Sequence, residues 1–367
     1  MAEPLKYMYN PVYFEKLCPV LKSRIPQFDC KQFIYRVFDN RWPDLELKER
    51  VRHIALSLHP FLPKEFSKAA GILAEVASAL ETTDLKSNSF AAIFLPDYIE
   101  VFGMEYPKAS LDALEQITKL VSAEFAIRPF ILRYPEMTMR QLTQWSTHAN
   151  PQVRRLSSEG CRPRLPWATG IPFLKKDPSP ILPILENLKQ DDTEFVRRSV
   201  ANNLNDIAKD HPLLVLDICR RWKGHNPHTD WILRHGSRTL LKKGNRDALT
   251  FHGFNPDERA RVKSLRIDKD KVKVGDNLTF GFEFANLERK VSSYRLEYAI
   301  DYVTSTGKTS TKIFKIAEKK FEPGHYSRIE KKQSFRNLTT RKHHRGKHVL
   351  SILANGKKLA ATEFLII

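Results

Sequence analysis

Two acidic residues in the middle of the chain lie at helical spacing from basic or amide side chains. Glu159 follows Arg155 by four positions, and Asp206 follows Asn202 by four and Arg198 by eight. Residues four apart lie on one face of a helix, so each acid is predicted to share a surface with these partners. A carboxylate held in this way can stabilise a cationic transition state or orient an attacking water. Glu159 and Asp206 are therefore the first candidate catalytic residues.

A third acid, Glu124, lies four positions before Arg128. Simple surface ion pairs are the alternative explanation for all three acids. The pairs that the spacing allows are Glu124 with Arg128, Glu159 with Arg155, and Asp206 with Lys209. An exposed pair of this kind contributes only about a few tenths of a kcal/mol. The residue types alone leave a catalytic and a purely structural role open.

A stiff basic loop follows Glu159 and reads Arg162-Pro163-Arg164-Leu165-Pro166-Trp167. Its prolines restrict the backbone and hold the indole at a low entropic cost. Trp167 either fills the core or offers its π face to a cation or a sugar. The other tryptophans at helical spacing beside apolar residues are predicted to pack in the core: Trp145, Trp222 and Trp231.

The elements that must position these residues are predicted to be repeated helices. A polar break followed by Val-Arg-Arg occurs at Val153 and again at Val196, 43 residues later, with a weaker copy at 230–235. A period near forty with helix-turn-helix punctuation is typical of HEAT-type α-solenoids. Apolar residues recur at helical spacing up to about residue 257, for example over 111–127, and prolines fall mostly between these segments.

From about residue 262 the apolar pattern changes to strict alternation, as in half-buried strands. Asn355-Gly356 is a strong signal for a two-residue hairpin turn. Six to eight short strands predict a β-sandwich of immunoglobulin type. The fold prediction is therefore mainly α, with a HEAT-like α-solenoid over 1–257 and an immunoglobulin-like β-sandwich over 258–367.

The chain carries a formal net charge of +19, which indicates a polyanionic partner, either nucleic acid or an anionic membrane surface. Residues 258–367 hold 25 Lys and Arg against 12 Asp and Glu, so this part alone is at +13. The densest basic segment is Arg341–His348. We predict that it grips phosphates, with a solvated hairpin tip or a histidine metal site as alternatives. Its basic residues are Arg341, Lys342, Arg345 and Lys347.

Several classes of chemistry lack their motifs in this sequence. There is no phosphate-binding G-x-x-x-x-G-K-[ST] or G-x-G-x-x-G, and no H-E-x-x-H or G-x-S-x-G. The four cysteines are scattered and are predicted to be free thiols in a reducing cytoplasm. No apolar run reaches eighteen residues, and the first residues lack the order of a signal peptide. We expect a cytoplasmic protein that uses carboxylates without metal or cofactor.

The sequence resembles a known family at several specific places. Ser158–Ala168 reads S-E-G-C-R-P-R-L-P-W-A, residues 202–206 read N-N-L-N-D, and the Val-Arg-Arg helices are paired. Together with the C-terminal immunoglobulin-like region, these features are similar to the AlkC branch of the HEAT-like-repeat DNA glycosylases, which remove alkylated bases. The resemblance covers essentially the whole chain, and the sister AlkD branch lacks the C-terminal domain.

The resemblance implies excision of 3-methyladenine and 3-methylcytosine from double-stranded DNA, without pulling the lesion into a pocket. It also implies residue roles. Glu124, Glu159 and Asp206 match the family's acidic cluster, Trp167 its aromatic contact and Arg155 a companion contact. Helical facing and the basic loop add four further predicted DNA contacts: Arg162, Arg164, Arg198 and Asn202.

We expect a monomer that acts on DNA in the bacterial cytoplasm, at the nucleoid. The alternative prediction is a non-catalytic HEAT-repeat scaffold that binds nucleic acid or acidic proteins. Such a scaffold explains the charge and the repeats but not the acids near Trp167.

Overall fold

The computed structural model describes residues 3–337 and 342–367. Helices come first and strands follow, as the change of apolar period predicts. The helices are α1 Pro11–Arg24, α2 Cys30–Val37, α3 Leu47–Leu58, α4 Phe66–Leu80, α5 Phe94–Phe102, α6 Pro107–Ile117, α7 Ile127–Arg133, α8 Pro135–Trp145, α9 Pro151–Gly160, α10 Pro172–Lys176, α11 Leu182–Leu188, α12 Glu194–Ile207, α13 Pro212–Trp222, α14 Pro227–Gly236, α15 Arg238–Lys242 and α16 Arg246–Phe251. Short 3-10 helices lie at Leu5–Met8, Trp42–Asp44, His59–Phe61, Asp84–Ile93 and Ser179–Ile181.

The strands are β1 Ala260–Ile267, β2 Lys271–Val272, β3 Asn277–Asn286, β4 Ser292–Val303, β5 Thr309–Phe321, β6 Tyr326–Ser334, β7 Gly346–Ala354 and β8 Lys357–Ile366. They form one sheet of order β1-β3-β6 and a second of order β2-β8-β7-β4-β5. Both sheets contribute side chains to one apolar core, in which the alternating phenylalanines of β3 are fully buried. The predicted Asn355-Gly356 turn joins β7 to β8, with φ of 48° and 78°. These positive angles are those that a type I′ hairpin needs.

The chain folds as two compact units. One unit contains Met1–Asp210 with Lys223–Gly236, and the other contains His211–Trp222 with Ser237–Ile367. The second unit therefore includes α13, α15 and α16 in addition to the strands. The predicted boundary at 257 falls between the last helix and the first strand, and a separate domain of residues 258–367 stays a prediction. No helix within the described ranges combines the length and apolar character needed to cross a membrane.

The repeated Val-Arg-Arg helices pack side by side in the first unit. Val153 of α9 and Val196 of α12 are both fully buried, which confirms the predicted repeat. Ser158 Oγ donates to Ser199 Oγ at 2.7 Å, and Asn203 Nδ2 donates to the Ser158 carbonyl at 2.8 Å. Small and amide side chains at this contact let two helices approach closely and satisfy each other's polar groups.

The weaker third copy forms α14, which packs against α12. At Gly236, an added Cβ would lie 3.0 Å from the Leu204 Cβ, so this contact favours glycine. The three helices that carry the repeated phrase thus form a continuous row. This row places the ends of α9 and α12 next to each other.

The helix predicted over 111–127 is shorter in the structure. The helix α6 ends at Ile117, and the segment that carries Glu124 is not helical. Thr118 is the C-cap of this helix, because its backbone N–H donates to the Leu114 carbonyl, and its side-chain oxygen accepts a hydrogen bond from the Ala123 amide at 3.4 Å. The helical spacing assumed between Glu124 and Arg128 is therefore wrong.

Candidate active site

Arg162 joins the two principal acids. Its Nη1 donates to Glu159 Oε1 at 2.5 Å, and its Nε donates to Asp206 Oδ2 at 2.9 Å. The three residues are 6%, 5% and 1% exposed, respectively, so this pairing is buried. Lys209 completes the arrangement with a 2.8 Å contact to Asp206 Oδ1. The acids are close together as predicted, but the basic loop supplies the residue that links them.

Arg155 links the third acid to the same arrangement. Its Nη1 donates to Glu124 Oε2 and to Ser122 Oγ, each at 2.7 Å. Its Nη2 lies 3.9 Å from Glu159 Oε1. Ser122 Oγ also donates to Glu124 Oε2 at 2.8 Å, which fixes this carboxylate from a second side.

The resulting acid–arginine cluster consists of Glu124, Arg155, Glu159, Arg162 and Asp206, in which negative and positive groups alternate. Burial by itself lowers the pKa of Arg162, but the adjoining Glu159 and Asp206 carboxylates raise it above its ordinary value. The guanidinium therefore stays cationic. Removing one partner from such a buried arrangement leaves an uncompensated charge, which is strongly unfavourable.

Arg128 fixes the loop that carries Arg162 and Trp167. It is buried, and its guanidinium donates to the carbonyls of Gly160 and Arg162 at 2.8 and 2.9 Å. It also donates twice to the Thr169 carbonyl, at 2.7 and 2.8 Å. Burial lowers its pKa to about 10. One cation thus satisfies both ends of the loop and replaces the helical hydrogen bonds that end with α9.

The loop leaves α9 at a point of very close packing. A Cβ at Gly160 would lie 2.6 Å from Ile127 Cγ2, so only glycine fits between α9 and α7 at this position. The close approach also brings the Gly160 carbonyl within reach of Arg128. The glycine of the S-E-G-C-R-P-R-L-P-W stretch is therefore required by packing.

Trp167 presents its indole to solvent. Its side chain is 62% exposed, so the alternative of a core residue is wrong. Its backbone is left-handed, with φ of 64°, which is unfavourable for a bulky residue. Lys48 holds this conformation by donating from Nζ to the Trp167 carbonyl, and the same ammonium lies 4.8 Å from the centre of the Phe125 ring.

Comparison with known proteins gives three matches of different extent. Residues 261–367 match the family described as "Uncharacterised protein YhaZ, C-terminal Ig-like domain". A protein of Bacillus subtilis (strain 168), described as "Uncharacterized protein YhaZ", is 42% identical over 366 residues, which is 99% of each chain. The structure of Pseudomonas fluorescens alkylpurine DNA glycosylase AlkC, bound to DNA containing an abasic site analog, is 35% identical. It superposes over 100% of both chains with a TM-score of 0.92.

The chain belongs to the AlkC family. The resemblance inferred from the S-E-G-C-R-P-R-L-P-W stretch and the paired Val-Arg-Arg helices is thereby confirmed. So is the fold prediction, because the C-terminal strands match an immunoglobulin-like domain.

Three predicted DNA contacts of this AlkC-family chain lie outside the acid–arginine cluster. Arg198 pairs with Glu194 at 2.5 Å on an exposed face, and Arg164 pairs with Asp210 at 2.6 Å. Asn202 is half-buried, and the neighbouring Asn203 is the amide that packs against α9. Arg198, Asn202 and Asp206 lie at intervals of four on α12, and exposure falls along them from exposed Arg198 through half-buried Asn202 to buried Asp206.

The basic C-terminal segment has two different faces. Arg341 lies outside the described residues, Lys342 and Arg345 are exposed, and Lys347 pairs with Glu363 at 2.7 Å. Two of its three histidines do not lie at a solvated tip. His348 is fully buried and His343 is 9% exposed, and both rings pack against Tyr302. Across the described ranges, no group of three or more His, Cys, Asp or Glu side chains is placed to hold a metal ion.

The four cysteines are free, as predicted, and the tryptophan predictions hold for two of three residues. Trp145 and Trp222 are buried, whereas Trp231 is 39% exposed and stacks on His235 with an interplanar angle of 4°.

Four side chains that support the site were not predicted for that role: Lys48, Ser122, Arg128 and Lys209. Arg128 and Lys209 appeared only as surface ion-pair partners of the acids, and Ser122 and Lys48 have no sequence signal that marks them.

Proposed function

We propose that this protein is a monofunctional DNA glycosylase that excises cationic alkylated bases, such as 3-methyladenine and 3-methylcytosine, from duplex DNA. The observation that carries the proposal is the buried pair Glu159 and Asp206, bridged by Arg162 in the loop that presents Trp167. Membership of the AlkC family and the net charge of +19 support the same substrate class.

The chemistry of such bases suits carboxylates. Alkylation at N3 makes the base cationic, so it leaves as a neutral molecule and needs no general acid. The sugar left behind develops oxocarbenium character at C1′, and a carboxylate near it stabilises the transition state more than the ground state. At about 4 Å and an effective dielectric constant near 20, one interaction contributes roughly 4 kcal/mol. That corresponds to about a thousandfold in rate.

Each charged residue has a distinct proposed role. Glu159 and Asp206 stabilise the sugar cation, and one of them orients the attacking water as a base. Arg162 keeps these two carboxylates in place before DNA binds. Glu124 and Arg155 form the other end of the acid–arginine cluster and contact the damaged nucleotide. Trp167 stacks or packs against the sugar from its exposed position.

We further propose that the lesion is attacked from the backbone side, without flipping the base into a pocket before the bond breaks. Most glycosylases extrude their target base. Here the acids themselves approach the sugar, so the base can leave directly. Water is the nucleophile, and the protein acts as a monomer on alkylated chromosomal DNA in the bacterial cytoplasm, without metal or cofactor.

The basic surface of the second unit is proposed to add affinity for the phosphate backbone. Lys342 and Arg345 are exposed and lie in the most basic segment of the chain. Arg164 and Arg198 are proposed to exchange their acidic partners for phosphates when DNA binds, and Asn202 to contact the backbone between them. These contacts are electrostatic and independent of base sequence.

The decisive experiment compares Glu159→Gln and Asp206→Asn with Asp112→Asn, an acid in an exposed pair with Lys108 on α6. Single-turnover release of 3-methyladenine from methylated duplex DNA is measured for each folded variant. We expect each site variant to lose about a hundred- to a thousandfold in rate, with DNA affinity retained, and the control to match wild type. Wild-type rates in both site variants would contradict the proposal.

A scaffold without catalytic activity is the second candidate. The observation that favours it is that Arg155, Arg162 and Lys209 already pair with the acids, as in a purely structural ion-pair cluster. A scaffold binds DNA but frees no base from it. The same methylated-DNA assay on the wild-type protein therefore separates the two functions.

A further inference from the structure

A cavity of about 440 Å³ lies beside the acid–arginine cluster in the first unit. Its walls come from α3, from residues 90–100, from residues 122–126 and from Trp167. This volume falls in the range of about 300–1,000 Å³ that is usual for small-molecule sites. The first hundred residues, which have no role in the proposed chemistry, supply most of the lining.

The walls suit a flat aromatic molecule. Phe90, Phe125 and Trp167 line the cavity together with aliphatic side chains such as Leu56. Phe90, Leu56 and Trp167 are 37%, 47% and 62% exposed. Large apolar side chains left open in a concave site indicate a ligand, because burying them would otherwise stabilise the fold.

One side of the cavity carries both donors and acceptors. Arg52 donates to Asp97 Oδ2 at 2.7 Å and to Glu100 Oε1 at 3.0 Å, and Lys48 lies at the rim next to Trp167. Carboxylates accept hydrogen bonds from an exocyclic amino group, and an ammonium donates to a ring nitrogen. Nucleobases have both groups on one edge and apolar faces on either side.

Two lining residues connect the cavity to the acid–arginine cluster. Ser122 lines the cavity and binds Arg155 and Glu124 through its hydroxyl. Trp167 lines the cavity from the loop that carries Arg162. The cavity therefore lies next to the place where a base would be released.

We propose that this cavity binds a neutral nucleobase, and that its occupant is the alkylated base after excision. The assignment rests on the proposed glycosylase function, in which the base is outside any pocket until the bond breaks. The base stacks among Phe90, Phe125 and Trp167, and its polar edge faces Lys48, Asp97 and Glu100. Product binding at this site competes with the return of the base to the sugar.

The test measures binding of free 3-methyladenine to the full chain without DNA, by calorimetry. Leu56→Trp fills the cavity, and Leu132→Trp is the matched control, because Leu132 is 41% exposed and does not line it. We expect wild type and the control to bind equally and Leu56→Trp to bind at least tenfold more weakly. Absence of binding to wild type, or equal binding to folded Leu56→Trp, would overturn the proposal.

The same measurement distinguishes a freed base from a base still attached to DNA. It is repeated in the presence of a duplex with an abasic-site analogue and of a duplex with an uncleavable alkylated nucleotide. We expect both complexes to accept free 3-methyladenine. If only the abasic complex accepts it, the attached base fills the cavity and the assignment to the freed base is overturned.

The binding measurement and the activity assay test the two proposals separately. Excision without binding of the free base removes the cavity proposal and leaves the glycosylase intact. Binding without any excision removes the glycosylase function, and with it the excised base as the occupant.

Discussion

The guanidinium of Arg162 lies between two carboxylates and reaches Asp206 Oδ2 from its Nε at 2.9 Å. This contact ties the loop after α9 to the last turn of α12, two elements that are far apart in sequence. An arginine suits the position because its rigid fork can satisfy two carboxylates at once, which an ammonium on a flexible stem does less well. The free protein thus holds its two principal acids close together in a prepared arrangement.

Two replacements of Arg162 distinguish its effect on the stability of the fold from its effect on the rate of base release. Arg162→Met removes the cation between two buried carboxylates and leaves Asp206 with Lys209 and Glu159 with only the 3.9 Å contact to Arg155. We therefore expect a loss of about 3 kcal/mol in the free energy of unfolding. Arg162→Lys keeps the charge, and we expect it to recover most of the stability but little of the single-turnover rate. Urea unfolding and base release are measured on both variants. Arg164→Met is the control in the same loop, because its exposed pair with Asp210 contributes less than about 1 kcal/mol. Equal losses in the free energy of unfolding at 162 and 164 would contradict this account.

The left-handed backbone at Trp167 predicts a difference in stability between two substitutions at this position. Trp167→Ala and Trp167→Gly both remove the indole, so we expect both to lower the rate of excision to a similar extent. Only glycine adopts φ of 64° without steric conflict, so Trp167→Gly should be more stable than Trp167→Ala by about 1 kcal/mol. Thermal unfolding gives the difference. If alanine is as stable as glycine, the strain does not exist in solution.

The sequence predicts well that Glu159 and Asp206 lie close together, because helical periodicity governs both positions and the repeat places α9 next to α12. It also gives the Asp206–Lys209 contact, which is 2.8 Å long, but it misses the residue that joins the two acids. The Glu159–Arg155 pair suggested by spacing is 3.9 Å long, whereas Arg162 approaches to 2.5 Å from an irregular loop. Loop paths depend on single backbone angles and on tertiary contacts such as those of Arg128, and neither has a periodic signal.

Periodic patterns also explain which predictions succeed and which fail elsewhere in the chain. The alternation of Phe280, Phe282 and Phe284 predicts buried strand residues, because period two has no other explanation at that length. Trp231 is exposed although it lies at helical spacing, because spacing identifies a face but not what covers it. Glu124 lost its predicted partner because α6 ends at Ile117.

The cysteines provide a prediction on pH. Burial raises the pKa of Cys161 to about 12, and it also raises the pKa of Cys219. Because the thiolate is the reactive form, these two residues stay unreactive as the pH rises from 7 to 9. Cys18 is buried, and Cys30 is half-buried. We expect one thiol to react rapidly with Ellman's reagent in the native protein, and all four in urea.

Cys30→Ser is the matched variant for this measurement. It should remove the rapid reaction in the native protein and leave three thiols that react only after unfolding. Rapid labelling of Cys161 in the native protein at pH 8 would show that the loop after α9 opens in solution. That result would contradict the tight closure by Arg128.

The basic segment of the second unit is tested by salt dependence. Each phosphate contact contributes about 0.9 to the slope of log affinity against log salt concentration on duplex DNA. The double variant Lys342→Glu with Arg345→Glu should therefore lower this slope by about 2 and weaken binding to methylated and unmethylated duplexes alike. The variant Lys16→Glu with Lys22→Glu changes the net charge equally at exposed positions of α1 and is the control. If the slope falls equally in both variants, net charge alone determines the affinity for DNA, and the segment makes no local phosphate contact.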